Sequence, residues 1–153
     1  MNTNEIRQVF FDHLIADEQL MALLPANSNW QSLKGRKLSS NSIVPVNQFN
    51  PKNIILPALT FQLSADVNAG LNKSVSRLFA QSLFIRCYNA SDKTYVSIDE
   101  ILSRVIDLLH RQSFTLDSSV SVQTVYLGSS AELTDQAFNL PYREAQFEML
   151  RLA

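Results

Sequence analysis

The chain has 153 residues, 46% of them apolar and 18% charged, with a formal net charge of -1, the size and balance of one compact domain. Its lone cysteine, Cys87, excludes an intrachain disulfide, and the near-neutral charge argues against a dedicated nucleic-acid binder, which carries a basic excess. Three glycines, at 35, 70 and 128, leave no material for a glycine-rich phosphate cradle.

The N-terminal residues Met1, Asn2, Thr3, Asn4 and Glu5 lack the positive region of a secretory signal. The longest apolar run, Ile54 to Leu59, contains Pro57 and is far shorter than the ~20 residues of a membrane span. The expectation is a soluble protein of a reducing compartment that uses no membrane. A single domain over residues 1–153 is expected, interrupted by a long polar loop at about 25–53.

Residues 3–16 place Ile6, Val9, Phe10, His13 and Leu14 at helical spacing, with Asn2 and Glu5 as a capping box. Asp17 is placed to cap a short second helix carrying Leu20, Met21, Leu23 and Leu24, which Pro25 ends. From Pro25 to Asn53 no period emerges and no acid occurs, while Trp30, Leu33, Leu38, Ile43, Val44, Val46 and Phe49 are scattered through a Ser-, Asn- and Gln-rich background. A loop of that length is usually functional or disordered. Pro45 limits Val44–Val46 to an edge strand or an arm on another surface.

Pro57 opens a strand in which Leu59, Phe61 and Leu63 share one face. A polar stretch, 64–76, leads to a second strand over about 77–88, with Leu83, Ile85 and Cys87 on one face and Phe84, Arg86 and Tyr88 on the other; a long-looped hairpin results. Residues 94–111 form the clearest helix, with an apolar stripe of Ile98, Ile101, Leu102, Val105, Ile106, Leu108 and Leu109. Its other face carries Glu100, Arg104, Asp107 and Arg111 at ion-pair spacing. Val120, Val122, Thr124 and Tyr126 mark a third strand, residues 128–140 read as a loop, and Ala145, Phe147 and Met149 form the buried face of a fourth strand opened by Pro141. The order α-β-β-α-β-β predicts an α+β fold: a mostly antiparallel four-stranded sheet with helices packed on one face.

No constellation for catalysis emerges. His13 and His110 fall on helices without ligand-spaced Cys, Asp or Glu, so structural or solvated roles are favoured over metal binding. Cys87 alternates with Ile85 and Leu83 and reads as a small core hydrophobe rather than a nucleophile. Glu144 and Glu148 share a strand face but stand ~13 Å apart, too far for a glycosidase pair, and Asp99 and Glu100 diverge by ~100° around a helix. Neither an enzyme nor a cofactor is expected. Lys34, Arg36 and Lys37 form a basic cluster whose simplest uses are a solvated loop or a protein contact, and Trp30 beside it can anchor an interface or pin the loop to its own domain. Residues 1–18 sum to -3, residues 19–91 to +6 and residues 92–153 to -4. Either these charges intermix on folding, or one part faces the opposite sign on a neighbouring copy, as in a head-to-tail ring.

An N-terminal helical stretch ending in Leu23-Leu24-Pro25, then Leu56-Pro57-Ala58-Leu59-Thr60-Phe61, a strand ending Phe84-Ile85-Arg86-Cys87-Tyr88-Asn89-Ala90, the helix Tyr95 to His110 and the closing strand Tyr142 to Leu152 together resemble the tail terminator, or tail completion, proteins of long-tailed bacteriophages. Residues 25–53 depart from that family, whose first helix reaches the first strand by a shorter link. The resemblance implies a structural subunit of the virion tail or neck, assembled in the bacterial host cytoplasm into a homo-oligomer, typically a hexameric ring. It also implies partners: the tail tube protein, a neck or head-completion protein, and the sheath where the tail is contractile. DNA would pass through such a ring without sequence-specific recognition. Loops 64–76 and 128–140 become candidates for ring, tube or neck contacts, with Asp66, Lys73 and Arg77 as salt-bridge partners. The nearest alternative is another head-tail connector, and from a different class, a small ligand-binding domain.

Overall fold

The computed structural model describes residues 3–24, 43–45, 56–64, 67–68, 78–90, 95–116 and 121–152. In chain order they form α1 (Thr3–Ile15), α2 (Glu18–Leu23), β1 (Ile43–Pro45), β2 (Ala58–Leu63), β3 (Val67–Asn68), β4 (Leu78–Tyr88), α3 (Val96–Leu109), β5 (Gln112–Thr115), β6 (Ser121–Ser129), β7 (Leu133–Asp135) and β8 (Leu140–Leu152). The fold is α+β, with helices covering one face of a mostly antiparallel sheet. The four expected strands are β2, β4, β6 and β8.

The sheet is wider than those four. Its order is β1-β2-β4-β8-β6-β5, with β3 also on β4 and β7 also on β8. The long central strands β4 and β8 pair from Leu78↔Leu152 to Tyr88↔Tyr142. Each carries a broken outer partner, β2 with β3 on β4 and β6 with β7 on β8. The short strand β1 runs parallel to β2 and closes the path as an edge, where the missing N–H of Pro45 is tolerated. The rest of 25–53 lies outside the described residues.

Alternation decides which face is buried. Leu59, Leu83, Ile85, Cys87, Ala145 and Phe147 point to the helices and are almost wholly buried, because a pleated strand sends every second side chain to the same side. From above, α3 contributes Ile98, Ile101, Leu102, Val105 and Leu109 at helical spacing. Helix α1 adds Ile6, Phe10 and Leu14 to the same core. His13 Nε2 donates to the Leu108 carbonyl at 2.9 Å, and Phe10 meets Phe114 edge-on with centroids 5.1 Å apart. These contacts seat α1 over the end of α3 and the start of β5.

Two local readings change. The segment 128–140 is not a loop but the end of β6, the strand β7 and a tight turn into β8; short polar strands of this kind lack the apolar alternation that reveals a strand. Arg104 does not complete a ladder with Glu100 and Asp107: its guanidinium grips Asp17, with Nη2 to Oδ1 at 2.7 Å and Nε to Oδ2 at 2.9 Å. Arg111 lies past the helix end at φ 57°, beyond reach of the ladder's geometry.

Candidate assembly surface

The turn between β7 and β8 is built around one carboxylate. Asp135 Oδ1 accepts the N–H groups of Ala137 and Phe138 at 2.8 and 3.2 Å, an Asx arrangement that holds the chain in a turn. Its backbone carbonyl accepts the Asn139 N–H at 2.7 Å, and Asn139 takes φ 53°, a left-handed conformation that asparagine tolerates better than most residues. The other carboxylate oxygen faces the sheet. Asp135 Oδ2 accepts the Tyr88 hydroxyl at 3.3 Å and stands 3.9 Å from Arg86 Nη1.

Arg86 is the centre of this attachment. Its Nε donates to Glu144 Oε2 at 2.6 Å and its Nη1 to the Tyr88 hydroxyl at 3.1 Å, while its guanidinium lies 4.6 Å from the centroid of the Tyr142 ring. Arg86 faces Glu144, and Tyr88 faces Tyr142, across the β4–β8 ladder, so the Arg86–Glu144 contact is a direct cross-strand pair and the Arg86–Tyr142 contact its diagonal neighbour. Burial works against the Arg86 charge, but the hydrogen bonds to Glu144 and Tyr88 outweigh it and hold the guanidinium more firmly protonated than usual. Burial likewise raises the Tyr88 phenol. Beneath them Ala58, Tyr88 and Leu140 form a small second core, on the sheet face away from the helices.

The start of α3 is tied to the same end of β8. Tyr95 donates its hydroxyl to the Leu133 carbonyl at 2.8 Å. Arg143 reaches Asp99 Oδ1 at 2.7 Å and the Ser130 carbonyl at 3.0 Å. Ser130 also exchanges hydrogen bonds with the Glu144 backbone.

On this braced scaffold sit all the large apolar side chains that are exposed among the described residues: Val96 at 61%, Leu127 at 54%, Phe138 at 42% and Leu133 at 40%. Each lies on an element tied to residues 140–146 of β8. Leu133 pairs in register with Tyr142 and the residue after Leu127 with Gln146, Val96 follows Tyr95, and Phe138 crowns the turn. Leu133, in register with Tyr142, faces away from the helices, whereas Val96 stands on α3 in the helix layer; each is an exposed apolar side chain of the kind that protein contacts cover. A shallow groove of about 460 Å³ runs between α2 and α3, lined by Gln19, Leu23, Asp99, Glu100, Ser103, Arg104 and Asp107.

The described surface is acidic. These residues hold eleven acids against six arginines and no lysine. Asp12, Glu18, Asp99, Glu100, Asp107 and Glu132 are exposed, against Arg111 alone among the arginines whose side chains are described. All the lysines of the chain lie outside the described residues.

Trp30, Lys34, Arg36, Lys37, Asp66, Lys73 and Arg77, the residues singled out from the sequence as interface candidates, lie outside the described residues. The two histidines serve the fold: His13 as above, and His110 by accepting the Tyr126 N–H on Nδ1 at 3.0 Å. Cys87 is fully buried, which pushes its thiol far above the ordinary range. Glu144 belongs to Arg86, so it makes no dyad with Glu148. Among the described residues no group of three His, Cys, Asp or Glu side chains could hold a metal ion, and no helix is long and apolar enough to cross a membrane. Sequence reasoning missed Val96, Leu127, Leu133 and Phe138. The available signal was the run Asp135-Gln136-Ala137-Phe138-Asn139, a turn-forming pair of residues around an aromatic.

No family model and no curated protein matches this sequence. Among solved structures, the chain is similar to one from the virion of a native gene transfer agent particle, with a TM-score of 0.62 and 15% identity. The match covers 95% of this chain and 92% of that one. The fold is shared over nearly the full length of both.

Proposed function

We propose that this protein is a virion structural subunit of phage type, and within that class a tail terminator: a ring subunit that caps the head-proximal end of the tail tube, stops its polymerisation and offers the surface to which the head is joined. The observation that supports this most is the fold shared, end to end, with a chain of a gene transfer agent virion. The sequence resemblance to tail terminators supports the narrower reading. A catalytic role is not part of the proposal. Asp135 holds the β7–β8 turn, and Val96, Leu127, Leu133 and Phe138 stay exposed, which suits a subunit with several protein neighbours. The partners are further copies of the chain in a ring, the tube protein, a neck or head-completion protein, and a sheath if the tail contracts. Trp30, Lys34, Arg36, Lys37, Asp66, Lys73 and Arg77 remain proposed contact residues.

Light scattering over a concentration series, with negative-stain images of the same fractions, tests the ring. The expected mass is six times the 17.3 kDa chain, in closed particles with a central opening. Added to polymerising tube protein, the chain is expected to fix tube length and to sit at one end. Tubes that grow unchanged in its presence would exclude the terminator role and leave another head-tail connector as the reading.

A further inference from the structure

We infer that β5 of one copy pairs edge to edge, in parallel, with β1 of a second copy, so that the sheet passes unbroken from subunit to subunit. The inference deepens the ring-subunit reading and rests on it, since it names the strands through which the ring closes.

Both ends of the sheet are open. β1 and β5 terminate the strand order, and among the described residues β1 pairs with β2 alone and β5 with β6 alone. Every second residue of such a strand turns its N–H and C=O away from its single neighbour, which leaves a template for another strand. Soluble proteins blunt such edges with charged side chains, proline or bulges. β5 has none of these: Gln112, Ser113, Phe114 and Thr115 are uncharged and keep an unbroken register with Thr124, Gln123, Val122 and Ser121, and Gln112, Ser113 and Thr115 are exposed. β1, Ile43-Val44-Pro45, is uncharged as well. Pro45 offers a partner only its carbonyl, which limits the pairing to a few residues, the length that β5 supplies.

Strand direction selects the occupant. β1 and β2 are parallel, and the four further pairings along the path, β2–β4, β4–β8, β8–β6 and β6–β5, are antiparallel. Four reversals leave β5 pointing the same way as β1. When the sheet passes on with its helices on the same side, copies related by rotation about an axis along the strands keep that direction. The edges that then meet are β5 and β1, in parallel. Such a contact is heterologous, one end of the sheet against the other, the kind that forms a ring when the rotation closes. A contact of β5 with β5 joins like to like about a two-fold axis and is complete at two copies. β1 already has one parallel neighbour, so a second on its other side continues the same hydrogen-bond pattern.

Because Cys87 is buried, cysteines introduced at the edges are the reactive thiols, and strands ~4.8 Å apart are within reach of a disulfide. Val44→Cys chains are mixed in equal amounts with Ser113→Cys chains, and separately with Thr115→Cys chains, then oxidised with copper phenanthroline. A disulfide joining one chain of each kind is expected in at least one mixture, read by mass spectrometry of the linked peptides. Links between two Ser113→Cys chains, or between two Thr115→Cys chains, would mean a two-fold contact of β5 with itself and overturn the proposal. In parallel, Ser113→Lys with Thr115→Lys is expected to weaken self-association at least tenfold by light scattering. Circular dichroism and a urea midpoint like that of the unaltered protein establish that this variant folds. A folded lysine variant that assembles as the unaltered chain does, or an unaltered chain that stays monomeric at every concentration, would overturn the contact. Lysine variants that still form rings and cap tubes would leave the ring reading intact while removing this contact. A chain that links β5 to β1 of another copy but never binds a tube end would do the reverse.

Discussion

The Asp17 carboxylate does two jobs at once: it accepts the Leu20 N–H at 2.8 Å as the N-cap of α2, and it receives both ends of the Arg104 fork from α3. A short helix of six residues has little stability of its own, so its position depends on this shared anchor. Asp17→Ala is expected to cost about 1 kcal/mol through the lost cap alone, measured by urea unfolding. Asp17→Asn, which can still cap, is expected to cost less.

The same pair predicts a pH dependence. The hydrogen bond from Arg104, with the Leu20 N–H assisting against the cost of burial, holds the Asp17 carboxyl below its ordinary 3.8. A carboxyl with a lowered folded-state pKa contributes stability that is present above the unfolded value and lost as pH falls through the folded one. Unfolding midpoints of the native protein and Asp17→Asn are therefore expected to converge as pH drops below about 4. Parallel curves down to pH 2 would refute the coupling.

Asp135 is expected to control the turn that carries Phe138. Asp135→Ala removes the acceptor for Ala137 and Phe138 and the partner of Tyr88, at a cost of about 1–2 kcal/mol. Amide exchange at Ala137 and Phe138 should accelerate while exchange at Phe147, in the centre of the sheet, changes only with global stability. A double-mutant cycle of Arg86→Met with Glu144→Gln is expected to show a coupling of about 1 kcal/mol, at the upper end for pairs open in part to solvent, and weaker in high salt.

Cys87 should be inert in the folded protein. It is wholly buried between β2 and β8, and desolvation disfavours its thiolate. Thiol reagents at neutral pH are expected to label it at the rate of unfolding rather than at the rate of a free thiol. Rapid stoichiometric labelling under native conditions would contradict its placement.

Phe147→Ala should be among the most damaging single changes. The ring is fully buried and packs against Tyr126 with centroids 5.6 Å apart, so truncation is expected to cost about 3–5 kcal/mol, a large share of the ~5–15 kcal/mol that holds a typical domain. Its neighbour Gln146 lies on the other face, and Gln146→Ala is expected to shift the urea midpoint far less.

Much of the architecture could be read from periodicity. The stripe from Ile98 to Leu109 determined α3 and its buried side, and the alternation through Leu83, Ile85 and Cys87, and through Ala145, Phe147 and Met149, determined which faces of β4 and β8 meet it. Asp17 as a cap and Pro45 as an edge residue were equally legible, because local backbone chemistry decides both. Burial of a repeating face is a local demand that sequence must meet residue by residue.

What only the tertiary structure decided is the surface. Arg86 and Glu144 are 58 residues apart in sequence, Asp17 and Arg104 are 87 apart, and no local pattern announces such partners. The Arg104 ladder anticipated along α3 gave way to a more distant carboxylate, because the capping Asp17 is already held by the Leu20 N–H while Glu100 and Asp107 are exposed to solvent. The exposed Val96, Leu127, Leu133 and Phe138 likewise come from four separate places along the chain, each unremarkable alone. Periodicity reports which side chains a single element hides, whereas a contact surface is made by the sides that several elements leave uncovered, and those meet only when the chain has folded.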